Sequence, residues 1–168
     1  NVLAHEGESY RFELQNLVDQ LGLQDKVVFI DKFLTDEELK EYLTACDIYL
    51  SPYPHEQQIS SGTLSFAVGA GAAVISTPYW HAKDLLKDDR GILTPFNDIE
   101  SMRGNIKLLY TSHRLLAWHR FKARSYGEQT VWKNVAKMYI ELLNGVTTPV
   151  RSLIDYEKYL SFDLKREA

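Results

Sequence analysis

Two polar segments hold the residues best suited to chemistry. The first, His55-Glu56-Gln57-Gln58-Ile59-Ser60-Ser61-Gly62-Thr63, joins a short apolar run to the start of a small-residue helix. Two serines, a glycine and a threonine at a helix N-terminus offer free backbone N–H groups, hydroxyls and the positive end of the helix dipole. That combination suits a phosphate or diphosphate. Glu56, Gln57 and Gln58 add a carboxylate and two amides to the same loop. Ordinary N-capping by Ser60 or Ser61 uses these residue types equally well. The second segment, Ser76-Thr77-Pro78-Tyr79-Trp80-His81, follows another apolar run. Its Tyr79 and Trp80 rings either stack on a base or a sugar face beside the anion, or pack as an ordinary surface turn. His81 suits an acid, a base or a neighbour of a helix cap.

Other chemistries lack their residues. His5, His55, His81, His113 and His119 have no zinc-type spacing, and none pairs with Cys46, so no metal site is expected. Asp88 and Asp89 are adjacent and point in different directions, which fits a solvated turn better than a magnesium site. Gly-x-Gly-x-x-Gly is absent, and Gly69-Ala70-Gly71 ends a helix, where it serves close packing and a C-cap. Gly-x-Ser-x-Gly is absent too, which weakens a hydrolase reading.

The elements that must position the two segments follow from periodicity. Tyr10, Leu14, Leu17, Val18 and Leu21 share a helical face, closed by a left-handed Gly22. Val27-Val28-Phe29-Ile30 reads as a buried strand. Thr35 and Glu38 form a capping box for a helix whose inner face is Leu39, Tyr42, Leu43 and Cys46. Ile48-Tyr49-Leu50 is a second strand, Thr63 to Ala70 a helix, Ala73-Val74-Ile75-Ser76 a third strand, Ala82 to Lys87 a short helix, and Gly91-Ile92-Leu93 a fourth strand. Beyond Asp98 the pattern is helical only, with Met102, Ile106 and Leu109 on one face and Val131, Val135, Met138 and Leu142 on a later one. Strands alternating with helices predict an α/β fold, a Rossmann-like parallel sheet wound by crossover helices. The helical block would cover one face of it. Gly145 to Pro149 breaks the pattern, and residues 146–168 read as a linker or docking tail.

Composition is that of an ordinary globular chain. Hydrophobic residues make up 45% and charged residues 25% of 168, so wholesale disorder is excluded. Nineteen basic against 23 acidic residues give a formal charge of -4, which counts against a nucleic-acid partner. A single cysteine rules out an internal disulfide framework, and no apolar run approaches a membrane span. A cytoplasmic location is expected.

The ordered series Val27-Val28-Phe29-Ile30, helix 36–42, Ala45-Cys46-Asp47-Ile48-Tyr49-Leu50-Ser51-Pro52, Gly71-Ala72-Ala73-Val74-Ile75-Ser76-Thr77 and Gly91-Ile92-Leu93-Thr94-Pro95 resembles the C-terminal domain of group 1 (family 4) glycosyltransferases. Trp132 with Val135-Ala136-Lys137-Met138-Tyr139 is similar to that family's late tryptophan helix. The resemblance implies two facing Rossmann-like domains, the GT-B fold, and retaining transfer of a sugar from a nucleotide-diphosphate donor to a hydroxyl acceptor without an obligatory metal or further cofactor. Residues 1–145 would be part of the donor-binding domain, lacking its first two strands and its N-terminal partner domain, and improbable as a catalyst alone. Ser61-Gly62-Thr63 would receive the diphosphate, and Glu56 would stand near the family's first glutamate, against the donor sugar.

Some positions depart from the family pattern. Counting back from Gly71, the second glutamate falls at Phe66. The first falls at Gln58, or at Glu56 if the loop is two residues longer. Tyr79-Trp80 replace a glycine pair. A sub-branch with Ser-Gly-Thr at this point would have Gln57 or Gln58 take over polar contacts. The alternatives are an inactive Rossmann-like docking or regulatory module, which Phe66 favours, and another nucleotide-sugar enzyme of the same fold.

Overall fold

Ala73-Val74-Ile75-Ser76 is buried at every position, as a strand covered on both faces must be. A computed structural model describes residues 8–147 of the chain. In it this segment is β2 (Ala73–Ser76), the centre of a three-stranded parallel sheet with β1 (Ile48–Ser51) on one side and β3 (Gly91–Leu93) on the other. Ile48 pairs with Ala73 and Ser51 with Ser76, while Val74 pairs with Gly91 and Ser76 with Leu93. Parallel neighbours cannot be joined by a tight turn. Helix α3 (Gly62–Ala70) therefore lies between β1 and β2, and the short α4 (Trp80–Leu85) between β2 and β3. The α/β expectation and the positions of these three strands hold.

The described residues fall into two compact units, divided between Thr35 and Asp36. In the first, α1 (Ser9–Gln20) ends where expected, with Gly22 left-handed at φ +64°. The strand expected at 27–30 is absent: the segment carries no ladder, and Val27 N–H donates back to Leu23 O. Among the described residues no other strand pairs with it, and an extended segment becomes a strand only when a partner takes its N–H and C=O groups.

The second unit holds the sheet. Helix α2 (Asp36–Ala45) opens with Asp36, Glu37 and Glu38 in its first turn, at the positive end of its dipole. Leu43 is buried and Leu39 packs against the core, whereas Tyr42 stays half exposed. Period-two alternation along β2 divides the core. Val74 joins Leu64, Ala67, Val68, Tyr79, Leu85 and Ala123 on one face; Ala73 and Ile75 join Leu109 on the other. Helix α5 (Ile99–Thr111) brings Met102 and Ile106 to that second cluster. Helix α6 (His113–Gln129) belongs to both, through Leu115 and Leu116 at its start and Ala123 and Tyr126 later. The helical block thus covers more than the single face expected.

Helix α7 (Trp132–Thr147) runs past Gly145, and no side chain over its residues 132–145 is buried; Met138 and Leu142, expected to share one face, are more than half exposed. The expected tail lies for the most part outside the described residues. Among the described residues no helix is long and apolar enough to cross a membrane.

Two glycines seat α3 against α6. A Cβ on Gly127 would stand 2.8 Å from Gly69 Cα and 2.9 Å from its carbonyl oxygen, a contact only two bare backbones permit. Gly71, at φ +77°, then ends α3: its N–H donates to Val68 O and that of Ala72 to Ala67 O, which turns the chain directly into β2. Gly127→Ala should therefore lower unfolding free energy by about 1–3 kcal/mol in a denaturant titration. Gly104→Ala, in α5 with nothing within 4 Å of the new Cβ, should be neutral or gain up to about 1 kcal/mol.

Candidate functional site

Parallel order sends the ends of β1, β2 and β3 to one side, where open α/β sheets take their ligands. Loop 52–61 leaves β1 there and delivers the chain to α3. Ser61 is the N-cap: its backbone is extended (φ -139°, ψ 108°), its hydroxyl accepts from Leu64 N–H at 3.3 Å, and its carbonyl accepts from Ser65 N–H at 3.2 Å. Its own N–H donates to His81 Nδ1 at 2.8 Å. The N–H groups of Gly62 and Thr63 have no partner among the described residues, and both residues are exposed. Nothing lies within 4 Å of a Cβ built on Gly62, so the backbone is uncrowded on that side. The Thr63 hydroxyl lies 3.4 Å from that of Ser61 and also bonds Tyr49, whose phenol is pushed up by burial above all.

A second helix begins beside the first, and its leading donors are already used. Trp80 N–H donates to Glu56 O at 3.1 Å and His81 N–H to Gln58 O at 3.3 Å. The Glu56 carboxylate pairs with Lys83 across the same seam. This hydrogen bond and the Lys83 charge hold the Glu56 carboxyl below the usual glutamate range, with a smaller contribution from the Trp80 indole. The Gln58 side-chain amide donates to Ser60 O and braces the loop from within. Gln57 and Ser60 are exposed.

Of the two aromatic residues expected to face a ligand, one does not. Tyr79 is fully buried, its hydroxyl 2.9 Å from Ser51 Oγ and its ring edge-on to Tyr53 with centroids 4.9 Å apart. An apolar ring with a satisfied hydroxyl belongs to the core, so Tyr79 presents no face for stacking. Trp80, next in sequence, is 49% exposed and keeps that role open. Phe66 lies away from the loop, in a groove of about 670 Å³ shared with Leu39, Leu43, Val131 and Trp132.

Glu56, Gln58, Ser61, Trp80 and His81 therefore meet along one seam, with Gly62 and Thr63 beside it. Lys83 is the participant that sequence reasoning missed. Its signal was the spacing: three residues after Trp80 on a short helix places it near the same end. Among the described residues no group of three His, Cys, Asp or Glu comes together as a metal site. Asp88 and Asp89 are left-handed (φ 59° and 64°) and make the turn into β3, where Arg90 pairs with Asp88.

With this geometry in place, comparison with known proteins fixes the family. The family model described as "Glycosyl transferases group 1" matches residues 2–112. The chain belongs to the group 1 glycosyltransferases. Its fold is similar to the crystallised C-terminal domain of a glycosyl transferase group 1 family protein (LpcC) from Francisella tularensis, at 19% identity and a TM-score of 0.62, over 72% of this chain and 62% of that one. The parallel sheet and its helices are thus the Rossmann-like C-terminal half of a GT-B fold, and the chain spans less than two thirds of that solved domain. No curated protein matches the sequence.

The pairing of Glu56 with Lys83 sets a pH window for this glycosyltransferase loop. A depressed carboxyl contributes above the ordinary carboxylate range and loses its contribution as pH falls through the lowered value. Carbon-detected NMR titration should find Glu56 ionised to lower pH than a free glutamate, and Lys83→Met should move its midpoint back up.

Proposed function

We propose that this chain supplies the donor-binding half of a retaining glycosyltransferase, which moves a sugar from a nucleotide-diphosphate sugar to an acceptor hydroxyl. The observation that carries the reading is the contrast between the two helix starts. Loop carbonyls close the first two donors of α4, while the Gly62 and Thr63 N–H groups of α3 have no partner among the described residues. Two unpaired amides and a helix dipole form a receptor for an anion, and a diphosphate leaving group gathers negative charge as the glycosidic bond breaks. Binding that tightens with this charge lowers the barrier instead of only holding substrate.

The other residues take roles consistent with their placement. Glu56, ionised and exposed, accepts hydrogen bonds from sugar hydroxyls, with Gln57 and Ser60 available beside it. Trp80 offers its exposed face for stacking on a sugar or base. Lys83 lends positive charge near the same carboxylate. The acceptor enters from a facing N-terminal domain, and the reaction is cytoplasmic.

Gly62→Pro isolates the amide contribution. Proline is well accommodated at the first helical position, and the extended Ser61 before it suits a following proline. The substitution deletes one N–H and leaves the helix intact. By calorimetry it should weaken nucleotide diphosphate binding about tenfold to a hundredfold, the worth of one charge-assisted hydrogen bond, with little change in Tm. Unaltered affinity would count against the receptor.

A docking or regulatory module is the second reading. Phe66 favours it, an aromatic in an apolar groove where the family pattern has a glutamate. Transfer by the protein together with its acceptor domain, lost on Glu56→Ala, would rule that reading out.

A further inference from the structure

Two histidines in this unit hold opposite faces of the same chemistry. His119 Nδ1 lies 2.8 Å from Asp89 O, a carbonyl that can only accept, so that nitrogen carries the proton. His81 Nδ1 lies 2.8 Å from Ser61 N, an amide that can only donate. Nδ1 of His81 must therefore be unprotonated, and the neutral ring carries its proton on Nε2. Ser61 is 5% exposed, and a buried amide without a partner is costly. The imidazole is the group that satisfies it.

The geometry assigns His81 a positioning role: its Nδ1 latches Ser61, and through Ser61 it aims the Gly62 and Thr63 amides. Ser61 is held at three points at once. Its N–H goes to His81, its hydroxyl to Leu64 N–H and its carbonyl to Ser65 N–H. The last two bonds tie Ser61 to its own helix and move with it. The first alone ties it to a different element, α4. In the reverse direction, His81 N–H donates to Gln58 O, so His81 itself clasps the loop at two points. With the clasp shut, Ser61 keeps its extended backbone, and the two following amides cannot turn to bond loop carbonyls. His81 thus acts on a bound diphosphate through Ser61, without touching it. This rests on the diphosphate reading above for its consequence, and on the Ser61–His81 bond alone for its cause.

Substitutions separate the two ring nitrogens. Asn places an oxygen near the Nδ1 position, whereas Gln reaches the Nε2 position and cannot accept from Ser61. Long-range nitrogen–proton NMR on the full chain should show the Nε2–H tautomer at His81 and the Nδ1–H tautomer at His119. In hydrogen exchange without ligand, His81→Asn should keep Ser61 protection near that of the wild type. His81→Gln and His81→Ala should raise its exchange about fivefold, as loss of one hydrogen bond requires. Titration with inorganic pyrophosphate, followed at the Gly62 and Thr63 amides, should give the same ranking of affinities.

An Nδ1–H tautomer at His81, or Ser61 exchange indifferent to all three variants, would overturn the latch. So would pyrophosphate affinity that Gln preserves and Asn loses, since His81 would then be a direct contact through Nε2. If pyrophosphate leaves the wild-type amides unmoved while Ser61 protection follows the Asn–Gln ranking, the latch stands and the diphosphate reading fails.

Discussion

Most of the site depends on one constraint: two helices start side by side at the ends of the strands, and loop 52–61 gives carbonyls to the first two donors of only one of them. Glu56 O and Gln58 O accept from Trp80 and His81. Every such bond closes a donor at α4 and fixes the loop that leads into α3. The cost of leaving backbone donors unpaired is normally met by burial against a cap or by water. Among the described residues the Gly62 and Thr63 amides have no protein acceptor, and both residues are exposed. The loop's allegiance to α4 leaves the first two donors of α3 without a loop carbonyl, and the Glu56–Lys83 pair lies on the same seam.

The framework behind that loop is built for close approach and little give. β2 is buried on both faces, so its register with β1 and β3 fixes where Ser51, Ser76 and Leu93 end. Side-chain bonds then tie the strand ends together: Ser76 Oγ donates to Ser51 O at 3.0 Å and Thr77 Oγ1 to Tyr53 O at 2.6 Å. Tyr79 fills the space beneath the loop and bonds Ser51. The Gly69–Gly127 contact presses α3 onto α6, which limits how far the N-terminal end of α3 can move.

Much of this was legible from residue order. Continuous apolar runs marked the three paired strands, Gly71 marked the end of α3, and the Ser-Gly-Thr run marked its beginning. What escaped has physical reasons. Residues 27–30 carry strand composition, but composition cannot supply a pairing partner. Tyr79 and Trp80 are neighbours of similar type, and only the packed structure shows that one ring is buried and the other exposed. Helix α4 begins two residues earlier than its pattern suggests, because carbonyls from a distant loop stabilise its first donors. The pairing of His81 with Ser61 spans twenty residues and leaves no periodic trace.

In the proposed function the unpaired amides of α3 receive the diphosphate of a sugar donor. A crystal structure of the protein with a nucleotide diphosphate bound is the decisive experiment. A phosphate oxygen should lie within hydrogen-bonding distance of the Gly62 and Thr63 N–H groups, with Ser61 N–H still on His81. A nucleotide seated elsewhere, with those two amides facing only solvent, would contradict it.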